Sequence, residues 1–367
     1  MPLTYLPLPG TPVEALDTPA LIVDLDAAEA NVRKMQAFVS RHGTALRPHV
    51  KNHKSPYFAK KQVAAGAIGV CVAKVGEAEV MADGGIEDIF IANEVVTPPK
   101  IARLMAVASR AKVSVAVDTH ENLRDLAAAA HRHGVEVGVL VDVNIRLDRC
   151  GVEPGGPAVS LAKAAAGMPG IRFEGLMGYE GHISGAGKDP AGRKETLGAL
   201  DKLLFTVRAV EDVGLPVRVV SSGGTSTYAV TGAIERVTEI QAGSYIFMDG
   251  AYLQEMDDFQ PAMYVLSTVV SRPFADKAIL DCGLKSVSVT SGQPKVVGTP
   301  GAEFLRLNAE HGHVKLTGEA QKLRVGDTLR LLPMHGETTI NIHNEYFCVR
   351  KGVLEVVVPV AARGMFR

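Results

Sequence analysis

VSVAVDTHENLRDLAAAAHRHGVEVGVLVDVN, residues 113 to 144, decides the fold. Two apolar runs, VSVAVD (113 to 118) and EVGVLVDVN (136 to 144), flank a helical pattern from His120 to His133, which is the order of a βαβ unit. The runs are continuous rather than alternating, as strands covered on both faces are. The same alternation extends in both directions. Towards the N-terminus lie ALIVDL (20 to 25), ALRPHVK (45 to 51), AIGVCVA (67 to 73) and DIFIAN (88 to 93); towards the C-terminus lie FEGLMGYE (173 to 180), VRVVSSGG (217 to 224) and EIQAGSY (239 to 245). Helical patterns separate them, from Asp26 to Arg41, Pro56 to Ala65, Val75 to Ala82, Pro98 to Ser109, Pro157 to Ala166 and Arg193 to Val213. Eight or nine such units predict an α/β chain with a (β/α)8 TIM-type barrel over 17–254. From 255 to 367 the segments become short or alternating, including YVLSTVVSR, KAILDCG and VLEVVVPV, and an all-β domain is expected there.

A chain of 367 residues suits two domains, and 47% hydrophobic with 22% charged residues is a normal globular composition. Lys and Arg number 39 against 40 Asp and Glu, so there is no basic field to hold nucleic acid or an anionic membrane. Cys71, Cys150, Cys282 and Cys348 stand far apart with no CxxC, which points to a reducing compartment and the cytoplasm. The N-terminal MPLTYLPLPGTP has neither the basic nor the apolar region of a signal peptide, and no membrane span is expected.

In a barrel of this kind the chemistry sits at the carboxyl ends of the strands. RPHVKNHKSP (47 to 56) crowds Arg47, His49, Lys51, His53 and Lys54 after one of them. Alternation aims Arg47, His49 and Lys51 at a common face, and an inward lysine among apolar neighbours tends to lose its charge, leaving an amine for Schiff-base chemistry. The plainer alternative is a solvated cationic loop. SSGGTSTY (221 to 228) and QAGSY (241 to 245) place glycines and hydroxyls where a phosphate binds in such barrels, through Ser222, Gly223, Gly224, Thr225, Gly243 and Ser244. LDRCGV offers Arg149, and GYEGHIS offers Tyr179, Glu180 and His182. In PMHGETTINIHNEYFCVR, His335 and Glu337 are two apart, so on an extended segment they share a face and suit a divalent cation.

Taken together these residues resemble the D-threonine aldolase and D-serine dehydratase family, pyridoxal-phosphate enzymes that share the alanine-racemase barrel (PLP fold type III). The resemblance runs from DTPALIVDLDAAEANVRKM (17 to 35) through RPHVKNHKSP, GVCVAKVGEAE, DRCGV, SGGTS and QAGSYIFMD to LDCGLKS and the His335 segment. It implies that Lys51 bonds pyridoxal 5'-phosphate and that Arg149 approaches its phenolic oxygen. Ser222 to Thr225, Gly243 and Ser244 would cradle the phosphate, with Tyr179 and Tyr245 beside the cofactor and Gln241 at the ring nitrogen. It also implies that residues 1–16 join the β domain and that the protein is a homodimer. His335 and Glu337 would hold Mn2+, or else Mg2+, Co2+ or Zn2+. The activity implied is metal-assisted retro-aldol cleavage of D-β-hydroxy-α-amino acids to glycine and an aldehyde. Dehydration of D-serine or 3-hydroxy-D-aspartate is the alternative, with a racemase or a non-catalytic cofactor carrier behind it. Two departures stand out. Relatives carry His-x-Asp or His-x-Cys where this chain has His335-Gly336-Glu337, and aldolases carry a histidine where this chain has Glu180. His182, Glu180 or a metal-bound water would then be the base.

Overall fold

The structure is a computed structural model in which residues 7–367 are described. The chain divides into two compact units: one of residues up to Arg33 with Asn52–Ser55 and Ser244–Arg363, the other of Lys34–Lys51, Pro56–Gly243 and Gly364–Arg367. The first strand, β1 (Ala20–Asp24), lies in the former. Eight strands make the latter: β2 (Ala45–Leu46), β3 (Val70–Val72), β4 (Asp88–Glu94), β5 (Lys112–Val117), β6 (Val137–Asp142), β7 (Ile171–Met177), β8 (Val219–Ser222) and β9 (Glu239–Ile240). They are ordered β2-β9-β8-β7-β6-β5-β4-β3, with every pair parallel. The two ends of this row meet. A parallel bridge joins His49 to Cys71, and Val50 N–H donates to Cys71 O at 2.8 Å while Cys71 N–H donates to Pro48 O at 2.9 Å, so the sheet closes into the expected (β/α)8 barrel. Cys71, Phe90, Ala116, Leu140 and Met177, one from each of β3 to β7, pack as a single apolar cluster. Burying each large member contributes about 1.5–3 kcal/mol, which is why these strands read as unbroken apolar runs.

The other unit is built on a nine-stranded mixed sheet. Its strands after β1 are β10 (Met263–Phe274), β11 (Lys277–Leu280), β12 (Lys295–Val297), β13 (Ala302–Leu307), β14 (Gly312–Leu316), β15 (Thr328–Leu332), β16 (Glu345–Arg350) and β17 (Val353–Pro359). The main path is β13-β14-β11-β10-β1-β16-β17, with β15 beside β10 and β12 beside β15.

Two expectations are corrected here, and a third is followed as far as the described residues reach. ALIVDL was expected to open the barrel, yet β1 sits between β10 and β16, antiparallel to one and parallel to the other. A central strand covered on both faces is as uniformly apolar as a barrel strand, so the run alone does not distinguish them. The passage from barrel to β unit falls at Ser244 rather than near 255, because the 3-10 helix Ser244–Ile246 and the helix Tyr252–Glu255 already cluster with the mixed sheet. Of residues 1–16, those from 7 to 16 belong to the β unit, where Val13 and Leu16 pack with Ile22, Leu266 and Leu354; residues 1–6 lie outside the described residues. Among the described residues no helix is long and apolar enough to cross a membrane.

Candidate active site

The carboxyl ends of the barrel strands gather most of the expected residues. Lys51, half-buried, lies in the turn that follows β2, rooted by the Val50–Cys71 hydrogen bond. Arg47 and Lys54 around it are buried, so the cationic stretch is not a solvated loop. Beyond β8, Gly223 takes φ +80°, a left-handed conformation that favours glycine, and turns the chain into Gly224 and Thr225. A Cβ on Gly224 would lie 3.2 Å from the hydroxyl and ring of Tyr179, and the Arg149 guanidinium stands 5.9 Å from the centroid of that ring. Arg149, Tyr179 and the Gly223–Gly224 turn are therefore neighbours. After β9, a Cβ on Gly243 would lie 2.5 Å from His49 O, so the glycine is required by the close passage of two strand ends.

Glu180 is not placed as an accessible base. It is fully buried and accepts from Gly223 N–H at 3.2 Å, Thr231 Oγ1 at 2.5 Å and Ser222 Oγ at 2.8 Å, the last shared with Gly178 O at 2.7 Å. This corrects two expectations at once. The carboxylate anchors the Gly-rich turn, and the Gly223 N–H expected to face a phosphate points at Glu180, while the Gly224 N–H points at Thr227 Oγ1, 3.0 Å away. Tyr245 is fully buried, with its ring tilted against Phe259. His182 lies exposed in the loop after Glu180, and Gln241 is buried at the end of β9.

One cluster was missed. Glu94 and Asp142 end β4 and β6, Asp118 follows β5, and the ligand atoms of Glu94, Asp118 and Cys150 lie within 4.8 Å of one another. Burial, reinforced by Glu94, pushes the Asp142 carboxyl up to about 8, and Arg149 opposes it. Burial and Glu94 likewise push the Cys150 thiol up to about 11. The signal available in the sequence was a carboxylate at or next to the end of three successive barrel strands.

In the β unit, His335 is the N-cap of the helix Gly336–Ile340 and Glu337 lies in its first turn. The extended segment expected there is absent because the His335 imidazole accepts from Thr338 N–H and starts the helix instead. Asp249 Oδ2 holds the intervening Gly336 N–H at 2.8 Å. Thr338 Oγ1 sits 2.9 Å from His335 Nδ1 and donates to Ser288 Oγ at 2.8 Å. As the acceptor of Thr338 N–H, Nδ1 is unprotonated and Nε2 holds the proton; a divalent cation at Nε2 would displace that proton to Nδ1, which would then donate to Thr338 Oγ1 and give up the bond from Thr338 N–H.

A closed parallel barrel with a lysine and a glycine-rich turn at its strand ends, followed in the chain by a mixed β unit, defines the alanine-racemase type of barrel protein. Residues 23–250 match the family model described as Alanine racemase, N-terminal domain, and residues 262–349 match the one described as Putative serine dehydratase domain. The chain belongs to the alanine-racemase-barrel family in which these two domains are joined. It is 40% identical to a D-threonine aldolase of an Arthrobacter species, over 98% of this chain and 96% of that one. It is 39% identical to the 3-hydroxy-D-aspartate aldolase of Paracoccus denitrificans, over 97% and 95%. The crystal structure of D-threonine aldolase from Filomicrobium marinum matches with a TM-score of 0.95 at 39% identity, covering 98% of this chain and 100% of that one.

Proposed function

We propose that this protein is a pyridoxal-phosphate- and divalent-cation-dependent lyase that cleaves D-β-hydroxy-α-amino acids to glycine and an aldehyde. The observation that carries the reading is Lys51 and the Gly223–Gly224 turn at strand ends of one barrel, in a chain about as similar to two different aldolases. Bound at Lys51, pyridoxal phosphate supplies the electron sink for the Cα carbanion left when the Cα–Cβ bond breaks. A divalent cation on His335 and Glu337 supplies Lewis acidity for the β-hydroxyl oxygen. The chain's own residues do the rest. Arg149 brings positive charge to the Tyr179 side of the turn, and Glu180 holds the turn in shape from below. Glu180 is committed to its donors, so the hydroxyl proton would go to the exposed His182 or to a metal-bound water.

Borohydride added to the protein with pyridoxal phosphate should fix the cofactor on Lys51; fixation on Lys54 or Lys285 instead would overturn the assignment. Incubation with D-threonine, D-serine and 3-hydroxy-D-aspartate should release glycine. Release of ammonia and a 2-oxo acid in its place would make the protein a dehydratase, as the name of its second domain model suggests.

A further inference from the structure

The barrel interior holds a series of hydrogen bonds that the cleavage reading does not use. Glu239, the first residue of β9, takes Arg47 Nε–H on both carboxylate oxygens, at 3.1 and 3.0 Å, and Arg47 also meets Asp88 at 2.6 Å. Burial weakens a guanidinium, but Glu239 and Asp88 outweigh it and raise the Arg47 pKa. An ionised carboxylate only accepts. Ser221 Oγ, 2.8 Å from Glu239 Oε1, must therefore spend its single proton there. Its oxygen is then left to accept, and Gln241 Nε2 donates to it at 2.9 Å. At the far end of the same amide, Oε1 accepts from Cys71 Sγ at 3.4 Å, and burial raises the pKa of that thiol so that it keeps its proton. Each direction is dictated by the one before, and the series starts at Arg47. The amide cannot turn over without setting its carbonyl against the Ser221 oxygen and its NH2 against the thiol proton.

We propose that Glu239, Ser221 and Cys71 are positioning residues that lock the Gln241 amide so that its second Nε2 hydrogen donates to the ring nitrogen of bound pyridoxal phosphate, holding that nitrogen unprotonated. This rests on the cofactor reading above, in which Gln241 meets the ring nitrogen. The logic is one of complementarity: an N–H donor requires a lone pair, which a pyridinium lacks, whereas the carbonyl of a flipped amide would accept a hydrogen bond from the N–H of a pyridinium and so favour it. Amide orientation therefore decides the protonation state, and it is set by an arginine at the opposite end of the series, which no cofactor need touch.

The test uses pyridoxal phosphate labelled with 15N in the ring, bound to the full chain and read by NMR, alongside cofactor titration of the apoprotein. The wild type should show the unprotonated 15N shift. Ser221→Ala, which lets the amide turn, should move the resonance towards the protonated position and weaken cofactor binding about five- to tenfold, the effect of losing one hydrogen bond. Gln241→Glu should give the protonated shift. Thermal unfolding near the wild-type midpoint shows that Ser221→Ala has folded; if it has not, Cys71→Ala, which removes only the thiol donor, gives the same reading in smaller measure. A protonated nitrogen in the wild type overturns the proposal, and so does a Ser221→Ala shift identical to wild type while Gln241→Glu moves it. In both of those cases the cofactor reading stands. If the wild type binds no pyridoxal phosphate at all, both fall together.

Discussion

Glu180 accepts from Ser222, Gly223 and Thr231 with no cation among those partners, and a buried carboxylate needs such donors to offset its lost hydration. Glu180→Gln replaces one accepting oxygen by an NH2 that faces donors. We expect unfolding measurements to show a loss of about 1–3 kcal/mol, and cofactor titration to show weaker binding because the Gly223 turn loosens. Unchanged stability would mean that the turn holds itself. Asp142 makes a prediction about pH. Its carboxyl, pushed up to about 8 by burial and Glu94, keeps a proton in the folded chain that the unfolded chain releases near its ordinary value. Stability from this group is thus complete in acid and is lost as pH rises through about 8. Thermal midpoints taken from roughly pH 5 upward should fall progressively until about pH 8 and then level off in the wild type, and vary less in Asp142→Asn, which needs no proton to be neutral. Neither role could be read from the residue itself, since a glutamate in GYEGHIS looks as much a base as an anchor until its partners are known.

Elements meet at strand ends, and there the two glycines of the turns differ in kind. The Cβ of Gly243→Ala would lie 2.5 Å from a backbone oxygen of His49, so β2 and β9 would have to part; that of Gly224→Ala would lie 3.2 Å from the Tyr179 side chain, which can move aside. Calorimetry should therefore find Gly243→Ala the more damaging, by about 1–3 kcal/mol as for other overpacked sites, while Gly224→Ala should act mainly on cofactor affinity. Equal stability losses would contradict this. In the helix Gly336–Ile340, Thr338→Val removes the hydroxyl on His335 Nδ1 and keeps the shape. Mn2+ titration should show affinity about 10–100-fold lower, as for other lost partners of ligating histidines. The period-2 pattern around His335 was legible and misleading: it marks the neighbouring β15 and β16, whereas the helix between them depends on the His335 imidazole capping Thr338 N–H.

Lys51 belongs to one unit and His335 and Glu337 to the other, so removing the cation tests the second set of residues separately from the first. A chelator should abolish cleavage yet leave pyridoxal phosphate fixable on Lys51, and Mn2+ should restore turnover; His335→Ala should not be restored, and Glu337→Asp should be restored in part. Full activity after chelation would refute the metal-assisted reading. The sequence by itself determined the barrel, because a helix period alternating with apolar runs is a local pattern repeated along the chain, and it put Lys51 and the glycine turns at strand ends, because they directly follow apolar runs. Only the tertiary structure decided the rest. It assigned β1 to the mixed sheet, where burial on both faces writes the same apolar run as a barrel would. It gave Glu180 partners 42 to 51 residues away and fixed the Gln241 amide between Ser221, 20 residues distant, and Cys71, 170 residues distant. Hydrogen-bond direction is settled by whichever donors and acceptors the fold brings together, and contacts across such separations leave no periodicity in the chain.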